Sequence, residues 1–261
     1  MSTPASLRVL EWKLTVFRRV WRSNVVSSFL QPLLYLLAMG LGVGSLVNRN
    51  TGSGSALGHL PYVAFVAPGL LATTAMMVAT NESMWPVLDS LMWTRQYEAM
   101  SATPIEAIDI VAAHILWLLV RTGIAAITVA AAMMLFPDVR SWGLIAAIPA
   151  AMLSGLALAM PLGAWTVTRT REMSFPVIQR FVITPLFLFG GAFFPLSKLP
   201  LVIRWVGYST PLWHGVRLCR AWSTGTSLSA SAALASIGYL VLWSAVGTYY
   251  MRRLTQHRLF A

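Results

Sequence analysis

The sequence predicts an all-α integral membrane protein. Six transmembrane helices follow an amphipathic interfacial helix, with short re-entrant or interfacial helices between the fifth and sixth spans. Three observations carry this reading. Of the 261 residues, 57% are hydrophobic and only 10% charged, against about 25% charged in ordinary soluble domains. The mean hydropathy is +0.69, and apolar runs recur at the roughly 20 residues that a helix needs to cross a hydrocarbon core. The net charge of +11 comes from bases that flank those runs rather than from one soluble face. That is the positive-inside pattern, and no nucleic-acid partner is expected.

Residues 7–22 (LRVLEWKLTVFRRVWR) place Leu10, Leu14, Phe17 and Trp21 at helical spacing, with Lys13, Arg18, Arg19 and Arg22 around them. Aromatics at the acyl boundary and snorkelling bases mark a helix lying in the membrane interface. Residues 1–24 therefore form an interfacial segment and 25–261 a single transmembrane domain. The spans are expected at 25–47, 62–80, 110–136, 142–168, 177–194 and 229–251. The fifth is short and broken by Pro185, Gly190 and Gly191. Small residues, Gly40, Gly42 and Gly44 in the first span and Ser154, Gly155 and Ala159 in the fourth, let helices approach closely. Residues 48–60 read as a flexible outer loop. Residues 195–228 are too apolar for a loop and too rich in proline to span, hence the short helices expected there.

Twelve bases fall on the side that holds both termini and six on the other, with Arg121 inside the third span. The termini are therefore expected in the cytosol of a bacterial plasma membrane. So is the segment 81–109, which carries five of the eight acidic residues: Glu82, Asp89, Glu98, Glu106 and Asp109. Anionic headgroups would repel such a loop, so it suits docking onto a protein. Residues 91–102 predict about three helical turns with Trp93, Tyr97 and Met100 on one side, ended by Thr103-Pro104.

Little here suggests covalent chemistry. The chain has no phosphate loop, no H-E-x-x-H pair, no G-x-S-x-G elbow, one cysteine (Cys219) and four scattered histidines. No cofactor is expected in this chain. Of the ionisable groups inside spans, His114 and Arg180 lie near a cytosolic end and are expected to reach the interface. Arg121 lies about three turns deep with no evident in-span carboxylate, which makes it a candidate for lining a polar path. A lipid-directed enzyme using Asp89, Glu98 or His214, and a channel or ion-coupled carrier, are the alternatives. The first lacks clustered acids and ligands, the second a matching helix break in the first half.

Three stretches carry a family resemblance: RQYEAMSATPIEAIDIV (95–111), TPLFLFGGAFFPLSKLP (184–200) and STPLWHGVRLCRAWSTG (209–225). They resemble type-two ATP-binding-cassette exporter permeases, in the subfamily of the nodulation lipo-oligosaccharide and daunorubicin exporters. The resemblance implies a dimer around a central path, formed with a second copy or a related permease. It also implies a separate ATPase subunit that binds ATP and Mg, and an amphipathic substrate such as a drug, an antibiotic or a lipid-linked sugar. Trp93, Arg95, Gln96, Tyr97, Glu98 and Met100 would fall in the segment coupled to that ATPase. Glu11, Lys13 and Arg18 would fall in the interfacial helix that also touches it. Phe193, Phe194 and Pro195 would close the outer gate. Along the path, Phe187 and Phe189, with Met76, Met77 and Met133, are candidates to contact an amphiphile, although packing or lipid contact is the simpler role for each.

Overall fold

Backbone polar groups within a hydrocarbon layer must be satisfied inside their own segment, and the structure, a computed structural model, is helical wherever this chain is most apolar. It describes residues 4–38, 42 and 61–260; the side chains at 20, 22–29, 31, 32 and 260 lie outside that description. The helices are α1 (Ala5–Leu37), α2 (Tyr62–Met92), α3 (Gln96–Ser101), α4 (Ala107–Met133), α5 (Leu144–Val167), α6 (Phe175–Ile178), α7 (Thr184–Phe189), α8 (Leu201–Tyr208), α9 (Pro211–Thr224) and α10 (Ala230–Phe260). A π-helical stretch, Gln179–Ile183, joins α6 to α7. No strand occurs among the described residues.

Among the described residues, five helical runs are long and apolar enough to cross a membrane: Tyr62–Met92, Ala107–Met133, Leu144–Val167, Glu172–Phe189 and Ala230–Leu259. Much of the expected first span, and the whole loop 48–60, lie outside the described residues. The helix that leads into that span is continuous from Ala5 to Leu37, so no break separates the interfacial segment from the start of the span.

α5 is the central element. It packs against α2, α4, α9 and α10, while α1 lies along α4. Small residues set its closest approaches. A methyl group on Gly155 would stand 2.9 Å from the Ala75 carbonyl oxygen of α2, and one on Gly215 of α9 would stand 2.3 Å from Ser154. The expected small-residue contacts of the fourth span are thus real helix crossings. The fifth run is the least covered: Val177, Phe181, Val182, Leu188 and Phe189 are all exposed. At its π turn the Thr184 N–H and hydroxyl both donate to the Gln179 carbonyl, the hydroxyl at 2.7 Å, and Pro185 has no N–H to offer the ladder.

Candidate functional site

The segment 81–109 is not a long loop. α2 continues through Asn81, Glu82 and Pro86 to Met92, because Ser83, Met84, Val87, Leu88 and Leu91 recur at helical spacing and are buried. The Ser90 hydroxyl donates to the Pro86 carbonyl at 2.7 Å. The chain then reverses at Arg95, the only non-glycine residue with positive φ (47°) among those described, and restarts as the six-residue α3. Three helical turns over 91–102 were expected, and this break corrects that reading. It also parts Trp93 from Tyr97: Trp93 is 58% exposed, whereas Tyr97 is fully buried.

Tyr97 fixes α3. Its ring enters the cluster formed by Val87, Leu91, Ile110 and Val111, and burial pushes its hydroxyl up to about 12, so it stays neutral at any physiological pH. Met100 packs at the edge of the same cluster. α3 therefore stands on α2 and α10, with Trp93, Arg95 and Glu98 turned outward. The Arg95 and Glu98 side chains approach to 3.9 Å, both well exposed.

The acids of this region mostly have internal work. Glu106 and Asp109 form a reciprocal capping box at the start of α4, with the Glu106 N–H donating to Asp109 Oδ2 at 3.2 Å. Glu82 accepts from Arg121 Nε at 2.7 Å and from the Trp117 indole at 2.8 Å. Arg121 thus has an in-span carboxylate, contrary to the sequence expectation, because the helix runs on through residue 82 rather than ending in a loop before it. The Arg121 guanidinium also lies 4.8 Å from the Phe17 ring centroid, joining α1 to the pair. His114 does not reach an interface either. It is buried, and its Nε2 shares a 3.0 Å hydrogen bond with Ser83 Oγ. On α1, Glu11 and Arg18 are exposed, while Lys13 turns inward, 6.0 Å from the Trp117 centroid.

At this end of the molecule, which holds both described chain ends, Arg258 of α10 ties three helices together. It donates to the carbonyls of Val167 and Arg169, the latter at 2.8 Å, and contacts Met92 Sδ at 3.0 Å. A short helix is thus set rigidly on a spanning bundle, beside an ion pair that bridges two spans. Residues 8–222 match the ABC-2 type transporter family. The chain belongs to that family. It is 31% identical over 258 residues to nodulation protein J of Rhizobium leguminosarum bv. viciae, covering 94% of this chain and 95% of that one. The counterpart from R. leguminosarum bv. trifolii is 31% identical over 218 residues, 81% of this chain and 80% of that one. The inner membrane transport permease YadH of Escherichia coli (strain K12) is 25% identical over 205 residues, 77% and 71% of the two chains. The chain is accordingly an integral membrane transporter permease and not itself a catalyst.

At the opposite end of this ABC-2 permease, α7 stops at Gly190 and the backbone turns through Gly191, whose φ of 83° an L side chain rarely adopts. The expected gate residues gather at that turn. Phe187 and Phe193 lie 5.0 Å apart, Tyr35 of α1 lies 5.6 Å from Phe193, and Phe189 and Phe194 lie 6.1 Å apart. Pro195 opens the next short turn. Met76 and Met133 are fully buried core residues, and Met77 packs against the same core. Sequence reasoning missed the residue that holds this end together. Arg220 of α9 donates to the Phe65 carbonyl at 3.1 Å and to the Gly191 carbonyl at 2.9 Å. Its guanidinium also covers the Phe65 ring at 3.8 Å.

Proposed function

We propose that this permease is the membrane subunit of an ATP-driven exporter in a bacterial inner membrane, with both termini in the cytosol. It works as a dimer, with itself or with a related chain, and a separate ATPase subunit supplies the ATP and Mg. The observation that carries the coupling is the seat of α3. Tyr97 locks the short helix into the cluster shared by α2 and α4, while Trp93, Arg95 and Glu98 remain free to meet a partner. A displacement imposed on α3 would reach the spans directly, because close-packed interiors transmit strain. Glu11 and Arg18 extend the docking face along α1.

The uncovered apolar face of the fifth run supports the other half of the reading. A span with Phe181 76% exposed suits a dimer seam or the wall of a path for an amphipathic substrate. The bend after Phe189, with its aromatic cluster, is the element that would part when the path opens outward. The substrate is an amphiphile of the drug, antibiotic or lipid-linked saccharide class, with drug efflux as one outcome.

The test joins Trp93→Ala with Glu98→Lys in the chain reconstituted with its ATPase subunit. Both residues are exposed, so stability should move by no more than about 0.5 kcal/mol. Association with the ATPase should weaken about tenfold, and transport-stimulated ATP hydrolysis should fall with it. Unchanged association and coupling would remove α3 from the docking surface.

A further inference from the structure

A cavity of about 360 Å³ lies between α1, α2, α3 and α4, beside the Glu82–Arg121 pair. It is not a uniformly charged groove. Glu82 and Arg121 neutralise each other at 2.7 Å. Two charged groups are left on its walls, Lys13 from α1 and Asp89 from α2, and neither forms an ion pair among the described residues. Gln96, the first residue of α3, lines the same cavity, and its Oε1 is buried with no hydrogen-bond partner. Such an acceptor destabilises the fold if nothing donates to it. Toward the outside the rim is apolar: Trp12 and Val16, one helical turn apart on α1, are 39% and 51% exposed.

We infer that this cavity binds the headgroup of an aminophospholipid from the leaflet that faces the chain termini. The phosphate meets Lys13. The primary ammonium donates to the Asp89 carboxylate and to Gln96 Oε1. The glycerol and acyl stem leave along Trp12 and Val16. A cation and an anion on the cavity walls match a zwitterion. Lys13 lies in the field of Glu82 and Asp89 Oδ2 accepts from the Thr94 hydroxyl at 3.3 Å, but neither is in a salt bridge among the described residues. An anionic lipid would leave Gln96 without a donor. A quaternary ammonium has no N–H for Gln96, and two of the three aromatic side chains of the cavity already carry cations: Arg121 lies over Phe17 and over Trp117, and Lys13 lies by Trp117. Ethanolamine is therefore preferred to choline. Because the ligand bridges α1 to the first residue of α3, its occupancy would tune how firmly α3 is held. That consequence rests on the proposed coupling role of α3; the binding does not.

The experiment uses the full-length purified chain in nanodiscs that mix phosphatidylglycerol with either phosphatidylethanolamine or phosphatidylcholine at equal surface charge. Lipid retained after extraction is counted by native mass spectrometry, and no ATPase subunit is present, so the outcome is independent of the exporter reading. The wild-type chain should retain phosphatidylethanolamine at least about tenfold over phosphatidylcholine. Asp89→Asn and Gln96→Leu should each abolish most of that preference while unfolding at the wild-type temperature in lipid-free detergent. Equal retention of the two lipids, or an intact preference in both variants, would overturn the site. Displacement of the lipid by soluble glycerophosphoethanolamine at comparable concentration would overturn the lipid assignment in favour of a water-soluble zwitterion.

Discussion

Each end of this permease is fastened by a largely enclosed arginine, and the two are fastened differently. At the termini end, Arg121 meets a carboxylate, Glu82, with an indole and a phenyl ring around it. At the opposite end, Arg220 has no carboxylate partner; it donates to the backbone carbonyls of Phe65, Gly191 and Ala192 and covers the Phe65 ring. The first arrangement joins two regular helices through side chains, so either partner can be exchanged and the charge balance restored. The second stitches a helix to a bend, and no side-chain exchange can supply the missing partner. Where the backbone leaves regular structure its carbonyls need donors, and a planar guanidinium can serve two of them at once.

The largest effect is expected at the end opposite the termini. Arg220→Met removes the second donor of the helical Phe65 carbonyl and the side-chain donor of the Gly191 and Ala192 carbonyls at the bend, and should cost on the order of 3 kcal/mol in thermal unfolding in detergent. Arg220→Lys should recover only part of this, because one ammonium cannot reproduce the fork that spans Phe65 and Gly191. Full rescue by lysine would mean that the charge matters and the geometry does not.

A smaller effect is expected at the Glu82–Arg121 pair. Arg121→Met leaves the Glu82 carboxylate with only the Trp117 donor and should cost about 2 kcal/mol. Adding Glu82→Gln should return about 1 kcal/mol of that loss. Strictly additive costs would show that the two side chains do not depend on each other. If the double variant is stable yet moves substrate poorly, Arg121 also serves the path.

The unequal legibility of the two fasteners has a physical cause. Glu82 and Arg121 are both visible in the sequence, and the Met84, Val87, Leu88, Leu91 spacing could have extended α2 past Pro86 and put them on facing helices. Pro86 and the polar pair Asn81-Glu82 instead marked a loop, since tertiary packing that overrides a helix breaker is invisible to periodicity. Arg220 could not have been paired at all, because its acceptors are main-chain atoms whose residue types carry no signal. The five described spanning runs were legible because hydrocarbon imposes length and composition together. The aromatic gathering at 187–194 was legible as a place but not as a set of contacts, which depend on the turn at Gly191. The acid-rich segment misled in one respect: Glu106 and Asp109 serve the start of α4 and Glu82 pairs with Arg121, so only Asp89, which accepts from Thr94, and Glu98, exposed beside Arg95, are left over for a surface role.

The smallest predicted effect concerns Arg95, which lies outside either fastener and holds the left-handed conformation that starts α3. A left-handed non-glycine residue costs roughly 1 kcal/mol through its Cβ, and the 3.9 Å approach to Glu98 is too exposed to offset it. Arg95→Gly should therefore unfold later than Arg95→Ala by about 1 kcal/mol, since both lack the guanidinium and only alanine keeps the strain. Transport by the two variants then separates backbone from side chain. Equal loss in both would assign the guanidinium a direct part in docking. Wild-type transport in both would reduce Arg95 to the hinge that aims α3, with Trp93 and Glu98 left to make the contact.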